Sequence, residues 1–134
     1  MLRLSEDAYL RMVGHCYDGL PLEACGLLAG DPASAKASAC YPTKNEAASA
    51  RVYAIGFDYA KAERDADERG ITILGVFHSH THTDAYPSPT DVAQAVDPGW
   101  HYVIVSLRDG VPVVRSYRIA DGKIEEEAVV LERR

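Results

Sequence analysis

Gly70-Ile71-Thr72-Ile73-Leu74-Gly75-Val76-Phe77-His78-Ser79-His80 is the stretch that decides the fold. Ile71 to Phe77 is apolar, β-branched and bounded by Gly70, so it reads as a central strand with two histidines at its C-terminal end. In an extended chain, side chains at i and i+2 share one face. His78 and His80 can thus reach one ion, while Ser79 points to the opposite face. Downstream come Ser88 and Asp91, which complete His-x-His-x7-Ser-x-x-Asp over residues 78–91. Two imidazoles and a carboxylate make three protein ligands for zinc. Three ligands leave the fourth tetrahedral position open, which marks a catalytic rather than a structural site. The pattern points to a metal-assisted hydrolase.

The segments on either side assemble a sheet around that strand. Ser5 is an N-cap, with Glu6 and Asp7 in the first turn. Ala8, Tyr9, Met12, Val13, Cys16 and Tyr17 follow at helical spacing, so residues 6–18 read as an amphipathic helix ended by Gly19-Leu20-Pro21. Residues 23–29 and 37–42 read as strands, 45–51 as a loop and 53–55 as a short extended piece. Residues 57–69 hold good helix formers and end at Gly70. Ser88, Pro89 and Asp91 have the order of N-cap, first helical residue and capping-box partner, which predicts a helix from Pro89 to about Val96. Strands at 102–107 and 111–119 flank Arg108-Asp109-Gly110, a hairpin signal. Asp121-Gly122 marks a second turn before a last strand near 124–130. The expected fold class is α/β, a single domain over residues 1–134 with a mixed β-sheet flanked by helices.

Composition narrows the function. A hydrophobic fraction of 47% in 134 residues suits one soluble core. No apolar run approaches the roughly 20 residues that cross a bilayer. The N-terminus has no signal-peptide pattern, so a cytoplasmic setting is expected. Three cysteines, Cys16, Cys25 and Cys40, form neither a metal-type pair nor a disulfide framework. The net charge is -6, and no basic stripe offers itself to nucleic acid.

Leu22-Glu23-Ala24-Cys25-Gly26-Leu27-Leu28-Ala29-Gly30 and the motif at 78–91 together resemble the JAMM (MPN-plus) zinc metallopeptidases. The similarity extends through Ala85-Tyr86-Pro87-Ser88, residues 101–106 and residues 114–119 to short bacterial members. Those members release cysteine from the Gly-Gly C-terminus of a ubiquitin-like sulfur-carrier protein. The resemblance implies a JAMM/MPN, cytidine-deaminase-like architecture. It makes His78, His80 and Asp91 zinc ligands and Glu23 the general base, which takes a proton from water and returns it to the leaving amine. It makes Ser88 the donor that stabilises the oxyanion. A carrier protein is then the expected partner, with no nucleic acid and no membrane, and a homodimer is left open.

Other readings compete. His82 shares the alternation of His78 and His80, so a His80/His82 pair is allowed, and only the spacing to Ser88 selects the first pair. Cys25 lies in an apolar strand, where a thiol behaves as a small inert hydrophobe, with a place near the metal left open. His15 and His101 read as structural. The same zinc site would also serve an isopeptidase that frees a ubiquitin-like modifier from lysine. A zinc nucleoside deaminase needs His-x-Glu and Pro-Cys-x-x-Cys, and this chain has neither. A non-catalytic scaffold of this fold usually lacks a ligand, and here none is missing.

Overall fold

A computed structural model describes residues 1–133. The elements in chain order are β1 (Leu2–Ser5), α1 (Glu6–Asp18), β2 (Cys25–Asp31), β3 (Lys36–Thr43), α2 (Asp58–Glu68), β4 (Thr72–His80), α3 (Pro89–Gln94), β5 (His101–Ser106), β6 (Val113–Ala120), β7 (Lys123–Glu127) and β8 (Val129–Glu132). The eight strands form one mixed sheet in the order β7-β6-β5-β4-β2-β3-β1-β8. β4 lies near its middle, antiparallel to β2 and parallel to β5. This is the α/β arrangement read from the sequence. Among the described residues no helix is long and apolar enough to cross a membrane.

β4 is covered on both faces, which is why its sequence is almost continuously apolar. Phe77 shares one face with Leu28, Val103 and Val105, packed against Ala8, Met12 and Cys16 of α1. Val76 shares the other with Leu27, Tyr102 and Ile104, packed against Ala62 of α2 and Val92 of α3. Strand alternation then places His78 and His80 on the α2/α3 side and Ser79 on the α1 side. The strand runs further than residues 71–77. His78 pairs with Ile104 and His80 with Ser106, so both histidines sit inside the ladder. α1 is tied to the sheet by His15, whose Nε2 lies 3.0 Å from the Cys25 carbonyl and 3.1 Å from that of Thr43. A ring nitrogen facing two carbonyls is a donor, which gives His15 its structural role.

β4 and β5 approach closely at Gly75, where a Cβ would meet the carbonyl oxygen and carbon of His101. Backbone cannot yield there. Gly75→Ala is expected to cost about 3 kcal/mol, at the upper end of overpacking, and to lower Tm by roughly 10 °C. Thermal unfolding followed by circular dichroism measures this, and an unchanged Tm would contradict the close approach.

Several boundaries differ from the sequence reading. β1 is absent from it: four residues carry too short an alternation to separate from the helix that follows. The strand expected at 124–130 is two strands broken at Ala128. β7 continues a hairpin from β6 through Asp121 (φ 51°) and Gly122 (φ 75°), a positive-φ pair suited to a two-residue turn. β8 instead runs parallel to β1, at the other end of the strand order. One residue joins the two ends, so the sheet must curl until its edges are near each other. Leu2 N–H donates to the Ala128 carbonyl at 2.8 Å across that junction. α3 stops at Gln94, two residues before Val96. Residues 53–55 form no strand, because Tyr53 is turned inward to stack on His78.

Candidate active site

His78, His80 and Asp91 converge. His78 Nε2 and His80 Nε2 are 3.1 Å apart, and Asp91 Oδ2 lies 3.1 Å from the first and 3.0 Å from the second. The sides of this triangle are close to the roughly 3.3 Å that separates neighbouring ligands around a tetrahedral zinc with bonds near 2.05 Å. All three side chains are buried. His80 Nδ1 lies 2.7 Å from the Asp84 carbonyl, and a carbonyl only accepts. Neutral His80 therefore carries its proton on Nδ1 and turns the lone pair of Nε2 into the triangle. Burial alone would raise the Asp91 carboxyl, but bonds to His78 and His80 and the Ser88 N–H hold it well below the usual carboxylate range. Burial likewise pushes the His78 imidazole down, toward the neutral form a metal needs. Burial would lower the His80 imidazole too, but its bonds to Asp91 and the Asp84 carbonyl raise it, so a metal entering the triangle takes the place of a proton shared with Asp91. Two imidazoles and one carboxylate directed at one point fit a divalent cation.

Local structure explains each placement. β4 supplies the histidines on one face. The capping box delivers Asp91: Ser88 Oγ accepts the Asp91 N–H at 3.1 Å, and Asp91 Oδ2 accepts the Ser88 N–H at 2.9 Å. That second bond fixes the oxygen that also faces the imidazoles. The 81–88 loop is held over the strand end by His80 through Asp84, by Ser106 Oγ to the Thr83 carbonyl at 2.7 Å, and by the Tyr117 hydroxyl to the Ala85 carbonyl. Tyr53 stacks on His78 with ring centroids 4.3 Å apart, closing the ligand side to solvent.

Glu23 is 4% exposed and lies ahead of β2, not within it as the sequence suggested. Its backbone is bound on both sides. Its N–H donates to the Ser49 carbonyl at 2.8 Å, and its carbonyl accepts from Asn45 Nδ2 at 2.9 Å. The next residue is clamped to β4: Ala24 N–H donates to Ser79 Oγ at 2.9 Å, and Ser79 N–H donates to the Ala24 carbonyl at 2.9 Å. The Glu23 side chain, by contrast, has an Oε1 that is buried with no hydrogen-bond partner among the described residues. Burial pushes its pKa up to about 7, against the opposing pull of His80 and with a further push from Asp91. A carboxylate held without a partner beside a cavity is fitted for proton transfer.

Glu23, His80 and Ser88 line one cavity of about 620 Å³, together with Ala50, Arg51, Thr81, His82 and Thr83. Ser88 Oγ accepts the helix-cap bond with a lone pair, so its own proton is free to donate into this space. The remaining sequence candidates fall outside the triangle. β4 ends at His80, and exposed His82 bonds through Nδ1 to Thr81 Oγ1 at 2.7 Å. Cys25 faces Thr43 Oγ1 at 3.4 Å, and burial raises its thiol to about 11. It is neither nucleophile nor part of the ligand triangle. His101 Nδ1 lies 2.6 Å from Glu127 Oε2 at the start of β5, in a buried structural pair. Asn45, Arg51 and Tyr53 were missed by the sequence reading. They belong to an irregular segment whose composition says only loop.

The family of prokaryotic homologs of the JAB domain matches residues 5–120. The chain belongs to that JAB family. It is similar to the CysO-cysteine peptidase of Mycobacterium tuberculosis, with 41% identity over 134 residues, covering 96% of this chain and 90% of the relative. The desampylase of Haloferax volcanii is 36% identical over 111 residues, covering 78% of this chain and 80% of the relative. Among solved structures, a protein from Desulfitobacterium hafniense superposes with a TM-score of 0.89 at 33% identity, over 100% of this chain and 94% of that one. The JAB membership, the similarity to a peptidase over nearly the whole chain and a buried His78–His80–Asp91 cluster able to hold a metal make this chain a metallopeptidase of the JAMM type.

Proposed function

We propose that residues 1–134 act as one zinc-dependent peptidase domain. It cleaves the bond after the C-terminal Gly-Gly of a ubiquitin-like sulfur-carrier protein and releases cysteine. The observation that carries the chemistry is the buried His78–His80–Asp91 triangle with unpartnered Glu23 on the same cavity. Similarity to a CysO-cysteine peptidase over nearly the whole chain supports the substrate class. Zinc is favoured by the ligand set of two nitrogens and one carboxylate oxygen. Three free, buried cysteines suit a cytoplasmic setting.

His78, His80 and Asp91 would hold the zinc. Bound there, the ion supplies Lewis acidity, which acidifies water and polarises a carbonyl. The chain's own groups do the rest. Glu23 takes a proton on a carboxylate oxygen from the attacking water and later gives it to the leaving amine nitrogen. Ser88 Oγ–H donates to the carbonyl oxygen as negative charge develops there. His80 Nδ1–H, fixed by the Asp84 carbonyl, keeps the ring in one tautomer throughout. Small residues at the end of the carrier tail allow its backbone to approach the sheet closely.

The test is mass spectrometry of a carrier-cysteine adduct incubated with the zinc-loaded protein, beside a lysine-linked conjugate of the same carrier. Release of cysteine at a higher rate than lysine-conjugate cleavage is expected. Faster cleavage of the lysine conjugate would replace this reading with an isopeptidase. Ser88→Ala separates the two duties of that hydroxyl. Losing the oxyanion donor is expected to lower kcat about 100-fold, and losing the cap to cost about 1 kcal/mol of stability. A kcat within threefold of wild type would remove Ser88 from the mechanism.

A further inference from the structure

Arg51 lines the same cavity as Glu23, His80 and Ser88, and among the described residues it is the one Lys or Arg that does so. Its position is built. Its N–H donates to Ser49 Oγ at 3.0 Å. The Ser49 carbonyl receives the Glu23 N–H at 2.8 Å, and the preceding Ala50 carbonyl receives Thr81 Oγ1–H at 3.3 Å. The backbone around Arg51 is thus pinned between the general base and the residue that follows His80. The guanidinium itself is exposed and has no carboxylate within ion-pair distance among the described residues. Arg3, Arg69, Arg108 and Arg115 have one; Arg11, Arg64 and Arg118 also lack one among the described residues, but none of them lines this cavity. This cation is fixed at its root and unpaired at its head, in a chain of net charge -6.

Charge balance gives it a ligand. With a divalent cation in the triangle, the carboxylates of Asp91 and Glu23 offset its two charges. Arg51 is then the surplus charge in the cavity, and it is complementary to one substrate anion. A Gly-Gly tail brings none. A leaving amino acid brings one, because the α-carboxylate of a free C-terminal residue is two bonds from the scissile nitrogen. A lysine in an isopeptide bond has no carboxylate there, since its carboxyl is locked in the acceptor's backbone.

We propose that Arg51 is a specificity-determining residue that pairs with the free α-carboxylate of the residue to be released, so that the enzyme removes a C-terminal amino acid in preference to a blocked one. This rests on the proposed carrier-cysteine substrate. A guanidinium offers two parallel N–H donors to a carboxylate, and lysine offers only a point charge.

The experiment compares kcat/KM for the carrier-cysteine adduct with that for the same adduct ending in cysteine carboxamide. Wild type is expected to favour the free acid at least tenfold. In Arg51→Gln the ratio falls to threefold or less, through a higher KM for the acid, since a contact made equally in ground and transition states acts on KM. Arg51→Lys retains part of the preference. Thermal melting and zinc content of the variants exclude a folding effect, which would lower both substrates together and leave the ratio alone. Equal rates for acid and amide in wild type, or a preference that survives Arg51→Gln, would overturn the role of Arg51 and leave the substrate reading standing. Cleavage of neither adduct by wild type would overturn the substrate reading and this inference with it.

Discussion

Glu23→Gln is expected to lower kcat by about 10³-fold while zinc content stays at the wild-type level. The amide keeps the size and shape of the side chain, so backbone bonds to Ser49, Asn45 and Ser79 survive. It cannot accept a proton at neutral pH. Glu23 lies outside the ligand triangle, so the metal has no reason to leave. Rates from product mass spectrometry and metal content from the same preparation measure both halves. Undiminished cysteine release would remove Glu23 from its role as base.

The same variant carries a stability signature. The Glu23 carboxyl rises from 4.5 to about 7 in the folded, metal-free chain, chiefly through burial. A raised acid pKa means the folded state holds the proton more tightly than the unfolded chain does. Its contribution is complete below pH 4.5 and is lost as pH climbs through about 7. Glutamine has no such dependence. Above pH 7 the chelated variant is expected to melt a few degrees higher than chelated wild type, with the gap closing toward pH 4.5. A cavity-lining carboxylate is partly screened, so the gain is on the order of 1–2 kcal/mol.

His80→Ala is expected to abolish metal binding and activity together. It removes one corner of the triangle and the Nδ1–H bond to Asp84 that holds the 81–88 loop. Two ligands cannot retain the ion against chelation by buffer, and without Lewis acidity the amide bond is too stable to cleave at a useful rate. His82→Ala retains its zinc, because His82 lies beyond the end of β4 and outside the triangle. Metal analysis of both variants decides the point. Retained zinc in His80→Ala and lost zinc in His82→Ala would exchange the two ligands.

The sequence made the site more legible than its supports. Strand periodicity alone put His78 and His80 on one face and Ser79 on the other. Cap chemistry alone put Asp91 three residues after Ser88, and the same two bonds turn its carboxylate toward the imidazoles. These are short-range rules acting on adjacent residues. Glu23 is 55 residues from His78 and needed the family resemblance, because a single carboxylate before an apolar run has no local signature. Asn45 and Arg51 had no signal at all. Their placement depends on a loop fixed by long-range bonds, in which Asn45 donates to Glu23 and Val52 and accepts from Ala47 and Ala54. β1 and β8 were lost or misjoined for a related reason. Strands of four residues gain their identity from pairing with each other across the chain, not from their own composition.

X-ray absorption at the zinc edge on the purified, zinc-loaded protein tests the centre of this account most directly. The expected first shell contains only nitrogen and oxygen at about 2.0–2.1 Å, with the outer-shell scattering of two imidazole rings. Sulfur at about 2.3 Å, or the scattering of three imidazoles, would contradict it by bringing Cys25 or His82 into a ligand set that His78, His80 and Asp91 are held to complete.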